Sequence, residues 1–157
     1  MIRRLTVVIV AVLVVAGAAF AGDWFDMENC AMCKNMSPGL MKSMSWEQVD
    51  ISNGIVCITN VDKGQIDAYR KAHEKMFETS KHLQQGEQLP LCGSCTALGM
   101  CLMKGPHQEY AETSTGDVWI FTSDNPELVA ELQAWAKRNR EEMAMMMESK
   151  SHEGHGH

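Results

Sequence analysis

The sequence is poor in positive charge: 14 Lys and Arg stand against 20 Asp and Glu, a formal net charge of −6. An acidic surface argues against nucleic acid and anionic lipid as partners, and is compatible with attracting cations. Recurrent catalytic signatures are missing as well. There is no phosphate-cradling glycine loop, no Gly-x-Ser-x-Gly elbow, no His-Glu-x-x-His and no Cys-x-x-Cys-His haem attachment. Binding is therefore expected before catalysis. The apolar run from Leu5 to Ala18 is short for a bilayer span.

That run has the features of an export signal. Met1-Ile2-Arg3-Arg4 precedes it, and Ala19-Phe20-Ala21 follows with a small-x-small cleavage pattern. A signal peptide is expected over 1–21, with Gly22 as the mature start and an uncleaved anchor as the alternative. No cysteine follows the apolar run, so this is not a lipoprotein signal. The expected location is periplasmic or secreted, with no membrane contact after cleavage.

What the chain does have is a copy of itself. Shifted by 62 residues it aligns without a gap: Cys30 falls on Cys92, Cys33 on Cys95, and Leu40-Met41-Lys42 on Leu102-Met103-Lys104. Glu47, Ser52, Gly54, Val56, Ile58 and Asp62 fall on Glu109, Ser114, Gly116, Val118, Ile120 and Asp124. There are 14 identities over the 47 positions from Cys30 to Met76, against about three from average residue usage. Such a period means two copies of one supersecondary unit, each too small to bury a core alone. A single domain is expected over 22–147, made of repeats 23–82 and 88–147. A disordered, histidine-containing tail is expected over 148–157.

Within each repeat a cysteine segment leads, interrupted in the first copy by Pro38-Gly39. A β-hairpin follows, Trp46 to Thr59 in repeat one. Asn53-Gly54 is its expected turn, and Thr115-Gly116 the counterpart. Val56, Ile58, Val118 and Ile120 are expected on the core face because they repeat. Cys57 and Trp119 fall on the other face. A long amphipathic helix closes each unit. One starts near Asp62, with Ile66, Tyr69, His73 and Met76 in its stripe. The other starts near Pro126, with Leu128, Leu132 and Trp135. The expected class is α+β: two tandem ββα repeats, each preceded by a Cys-x-x-Cys segment. They would form a four-stranded antiparallel sheet with helices on one face. Strand order across the junction is not readable.

The two Cys-x-x-Cys pairs carry the chemistry. Cysteines three apart can chelate a tetrahedral ion, and pairs from symmetry-related repeats can meet in one four-thiolate site. Cys30, Cys33, Cys92 and Cys95 are thus candidate ligands for a soft or borderline metal, copper first and zinc second. In an exported protein they can instead form disulfides, which would make the chain a disulfide-stabilised binding module. A thiol–disulfide oxidoreductase is a third reading, although no strand pattern leads into either pair. Cys57 and Cys101 break the repeat, and are expected to pair or ligate rather than remain free. His73 and Met76 share a helix face and offer a nitrogen and a thioether. Thirteen methionines make the chain methionine-rich. In the tail His152, His155 and His157 can capture a metal ion. The protein partner is not readable.

Overall fold

The structure, a computed structural model, describes residues 23–153, with side chains as far as Met146. The signal peptide expected over 1–21 lies outside the described residues, as do His155, His157 and the side chain of His152.

A 3-10 turn, Cys33–Asn35, leads into the short helix α1, Pro38–Lys42. Ser37 caps α1, its hydroxyl accepting from the Leu40 N–H at 3.2 Å, and Pro38 occupies the first turn, where its missing N–H costs nothing. The hairpin β1 (Met44–Ile51) and β2 (Gly54–Val61) follows. A 3-10 turn, Lys63–Gln65, opens α2, Ile66–Gln84. Repeat two is built from α3 (Gly93–Met103), β3 (His107–Glu112), β4 (Gly116–Thr122) and α4 (Pro126–Glu153). Met100 and Cys101 stand where repeat one has Pro38-Gly39, so α3 runs unbroken for 11 residues. α4 passes the Met147 boundary expected from sequence, so 148–153 of the expected tail are helical.

All four strands form one antiparallel sheet in the order β1-β2-β4-β3. The two hairpins keep the same register under the 62-residue shift. Glu47 faces Ile58 in one, and Glu109 faces Ile120 in the other.

Both hairpin loops sit one residue earlier than the sequence suggests. Ile51 pairs with Gly54, so Ser52-Asn53 is the loop and Gly54 opens β2. Gly54 does not adopt a positive φ. Its need is for space: a Cβ there would lie 1.8 Å from the Phe121 carbonyl oxygen. A Cβ on Gly116 would lie 2.0 Å from the Thr59 carbonyl oxygen. Thr59 and Phe121 are repeat counterparts, so each glycine admits the other repeat's backbone.

The core face of the sheet is the reverse of the one expected. Ile55, Thr59 and Val61 of β2, with Asp117 and Phe121 of β4, are buried. Cys57 and Trp119 pack on that same side. Val56, Ile58, Val118 and Ile120 are only half-buried, on the face away from the helices. Two clusters make the core. One joins Ile55, Cys101 and Phe121 to Leu128, Leu132 and Ala136 of α4. The other joins Met36, Leu40 and Val61 to Tyr69 and Ala72 of α2. Ile55 and Leu132 are wholly buried, each contributing about 2–3 kcal/mol by area removed from water. Both helices therefore cover one face of the sheet, as expected. Among the described residues no helix is long and apolar enough to cross a membrane.

Candidate metal centre

Each cysteine pair is closed by the same local hydrogen bond. The Lys34 N–H donates to the Cys30 carbonyl at 3.0 Å, and the Thr96 N–H donates to the Cys92 carbonyl at 2.9 Å. Lys34 and Thr96 are repeat counterparts. This turn brings the side chains at the first and fourth positions to one side, the arrangement a two-thiolate chelate needs. Cys92 is also the N-cap residue of α3.

The two loops converge. Cys33 Sγ lies 3.6 Å from both Cys92 Sγ and Cys95 Sγ. All four sulfur atoms lie within 4.8 Å of one another. Tetrahedral sulfurs on one zinc ion stand roughly 3.8 Å apart, so the set could close on a single ion with small side-chain shifts. The first cysteine of each pair, Cys30 and Cys92, is buried, and the second, Cys33 and Cys95, is partly buried. None of the six cysteines is in a disulfide.

Four thiols this close cannot titrate independently. Cys30 is driven well below the usual thiol range by hydrogen bonds from the Cys33, Cys92 and Cys95 thiols, helped by the Cys33 backbone N–H. Cys92 feels an opposing push from Cys30. The Cys33 and Cys95 thiols and the Cys95 backbone N–H outweigh it and lower Cys92 to about 6. Cys33 is pushed up, first by Cys30 and then by Cys92. Cys95 is pushed up by Cys30, Cys33 and Cys92. Proton sharing within the cluster thus lowers Cys30 and Cys92 and raises Cys33 and Cys95. Full deprotonation of the set needs a cation among the sulfurs.

The other candidates are elsewhere. His73 Nε2 lies 3.8 Å from Asp117 Oδ2, and its ring stacks on Tyr110 with centroids 5.5 Å apart. Met76 packs against the cluster of Met36, Leu40, Val61, Tyr69 and Ala72. Among the described residues the four cysteines are the only His, Cys, Asp or Glu group of three or more gathered closely enough to hold an ion. Cys57 and Cys101, expected to pair or ligate, are free thiols in the cluster under α4. Burial, with Asp117 nearby, pushes Cys57 up to about 12.

Sequence reasoning missed a polar group beneath α2. The Tyr69 hydroxyl donates to Asp117 Oδ2 at 2.5 Å, and Asp117 is 1 % exposed. Asp117 occupies the position of Ile55 in the other repeat, and His73 that of Trp135. A pair of apolar-to-polar exchanges at equivalent positions was the available signal.

No family model matches the chain, and neither a curated protein nor a solved structure matches it.

Proposed function

We propose that this is an exported metal-binding protein that holds one soft or borderline ion between Cys30, Cys33, Cys92 and Cys95, for sequestration or delivery. The observation that carries the reading is the convergence of four sulfurs, from two pairs far apart in sequence, to within 4.8 Å. A tetrahedral all-sulfur set favours zinc over copper. The thioether and imidazole of Met76 and His73, which would favour copper, lie in other contacts. The partly exposed Cys33 and Cys95 give an acceptor ligand an approach, which suits a site that releases its ion.

The test is elemental analysis of the full chain purified under reducing conditions, beside a chain with all four cysteines changed to serine. One equivalent of metal, lost in the serine chain, is expected. Cobalt(II) exchanged into the site should give the strong thiolate-to-metal charge-transfer absorption of a tetrahedral sulfur set. Equal metal content in the two chains would remove the reading. Oxidised cysteines without metal in the native chain purified without reductant would replace it with the disulfide-stabilised binding module.

A further inference from the structure

The two cysteine loops are not held equally. In the first, the Ala31 N–H donates to the Pro90 carbonyl at 2.8 Å. In the second, both residues between the cysteines are tied down by a segment that supplies no ligand. The Gly93 N–H donates to the Asp23 carbonyl at 3.2 Å, and the Ser94 N–H to the Trp24 carbonyl at 2.9 Å. These are N–H groups of the first turn of α3, which have no partner inside the helix.

Side chains complete the clamp. Trp24 Nε1 and Ser94 Oγ both donate to Asn139 Oδ1, at 2.7 and 2.8 Å. Trp135 Nε1 donates to the Ser94 carbonyl at 3.1 Å. Trp24, Ser94 and Asn139 are all buried. The Trp24 ring lies so close to Gly93 that a Cβ there would stand 2.9 Å from it, and the Arg138 guanidinium covers the ring at 3.9 Å. The repeat counterpart of Trp24 is Gly86, so the first loop has no equivalent of this strap.

We propose that Asp23-Trp24 is a strap that positions the second cysteine loop, so that metal retention depends on an N-terminal segment contributing no ligand. This rests on the four-cysteine metal reading. Trp24 is a positioning residue: it acts through the backbone of Gly93 and Ser94, which fixes the directions of Cys92 and Cys95. Loss of the strap frees two N–H groups and an indole-sized space beside the loop. The pair then samples other directions, and chelation loses its preorganisation. Asn139 couples the strap to α4, so a pull on either loosens the same loop.

The experiment compares the full chain with its Trp24→Ala and Trp24→Phe variants. Zinc release to a chromogenic chelator is timed, and the cobalt spectrum is recorded. Trp24→Ala should release zinc at least tenfold faster with the cobalt band positions unchanged, since the ligand set is the same. Trp24→Phe, which supplies a smaller aromatic ring and the same backbone carbonyl but no indole donor, should fall between. The second readout is alkylation of the metal-free, reduced protein, resolved by cysteine. Cys92 and Cys95 should react faster in Trp24→Ala relative to Cys30 and Cys33, while Cys57 and Cys101 stay protected. Equal acceleration at all six thiols would mean general loosening and would overturn the strap, as would an unchanged split between the pairs. If the native chain holds no metal, the metal reading fails, and the alkylation split still decides the strap.

Discussion

Cys57 and Trp119 stand directly opposite one another across the two central strands, and each is the other's counterpart in the repeat. An antiparallel pair has local twofold axes through its facing residues. The axis relating the two hairpins therefore passes between Cys57 and Trp119. Every other β2–β4 pairing obeys it: Val56 faces Ile120 as Ile58 faces Val118. The axis relates unlike residues, so the register of the sheet is twofold and the chemistry on it is not. The four cysteines form two equivalent pairs, whereas the Tyr69–Asp117–His73 group between α2 and β4 has no counterpart between α4 and β2, where Trp135 and Ile55 stand at the positions of His73 and Asp117.

The close approach of β2 and β4 predicts intolerance at Gly54. Gly54→Ala would place a Cβ against the Phe121 carbonyl. The strands must separate, and a loss of about 2–3 kcal/mol is expected, the usual scale of overpacking. Gly39→Ala, where a Cβ meets nothing within 4 Å, is the control. Urea denaturation of both chains is the measurement, and equal midpoints would contradict the packing argument.

The identity of the core face is tested by paired substitutions on neighbouring residues of β2. Ile55→Ala removes a wholly buried side chain, at a cost of about 2–5 kcal/mol. Val56→Thr, on the half-buried outer face, should cost less than about 1 kcal/mol. The reverse ranking in chemical denaturation would restore the face expected from the repeat.

Tyr69→Phe deletes the hydroxyl that donates to the buried Asp117 carboxylate. Stranding a buried acceptor costs about 1–3 kcal/mol. Adding Asp117→Ile, which installs the residue the other repeat carries as Ile55, removes the stranded group and should recover much of the loss. A double variant no more stable than Tyr69→Phe alone would show that the acid is not the reason.

Cys57 supplies a pH dependence with a defined sign. Its folded-state thiol is raised from an ordinary 9.0 to about 12 by burial. The folded protein thus keeps a proton that the unfolded chain gives up. The stabilisation is fully present below about pH 9 and is lost as pH rises toward about 12. In the metal-free protein, Cys57→Val should soften this alkaline destabilisation. Thermal unfolding followed between neutral pH and pH ~11 checks it, the range being that of ordinary thiol titration.

For the metal centre, Cys30→Ser with Cys33→Ser should lower metal content more than ending the chain at Lys150. The four sulfurs already stand within 4.8 Å of one another, so chelation needs no large rearrangement. Metal affinity should also fall as pH falls, because protons compete for the same sulfurs. Metal content by elemental analysis across pH is the measurement. A larger loss on truncation would move the principal site to the histidines.

The period of the sequence determined the repeat and the order of elements. The pairing register was off by one residue at each turn: Ile51 pairs with Gly54, so the loop is Ser52-Asn53 and not Asn53-Gly54. The convergence of the cysteine pairs was legible as a geometric possibility, because symmetry-related chelating loops can meet near their axis. The buried face of the sheet was not legible. β2 is apolar at Ile55 and Val61 on one side and at Val56 and Ile58 on the other, so alternation does not choose between them. Identity between the repeats pointed the wrong way for a physical reason. On the helix side each half meets different neighbours, and the pairs diverged into Ile55 with Asp117 and Cys57 with Trp119. On the side that no helix among the described residues covers, Val56 with Val118 and Ile58 with Ile120 are the same. The requirement for glycine at Gly54 likewise comes from the opposite repeat's carbonyl, and no local signal reports it, whereas Gly116 combines such a close approach with a positive φ of its own. Tertiary structure alone decided that β2 and β4 lie side by side. That pairing depends on contacts between residues about sixty positions apart, which neither strand's own sequence specifies.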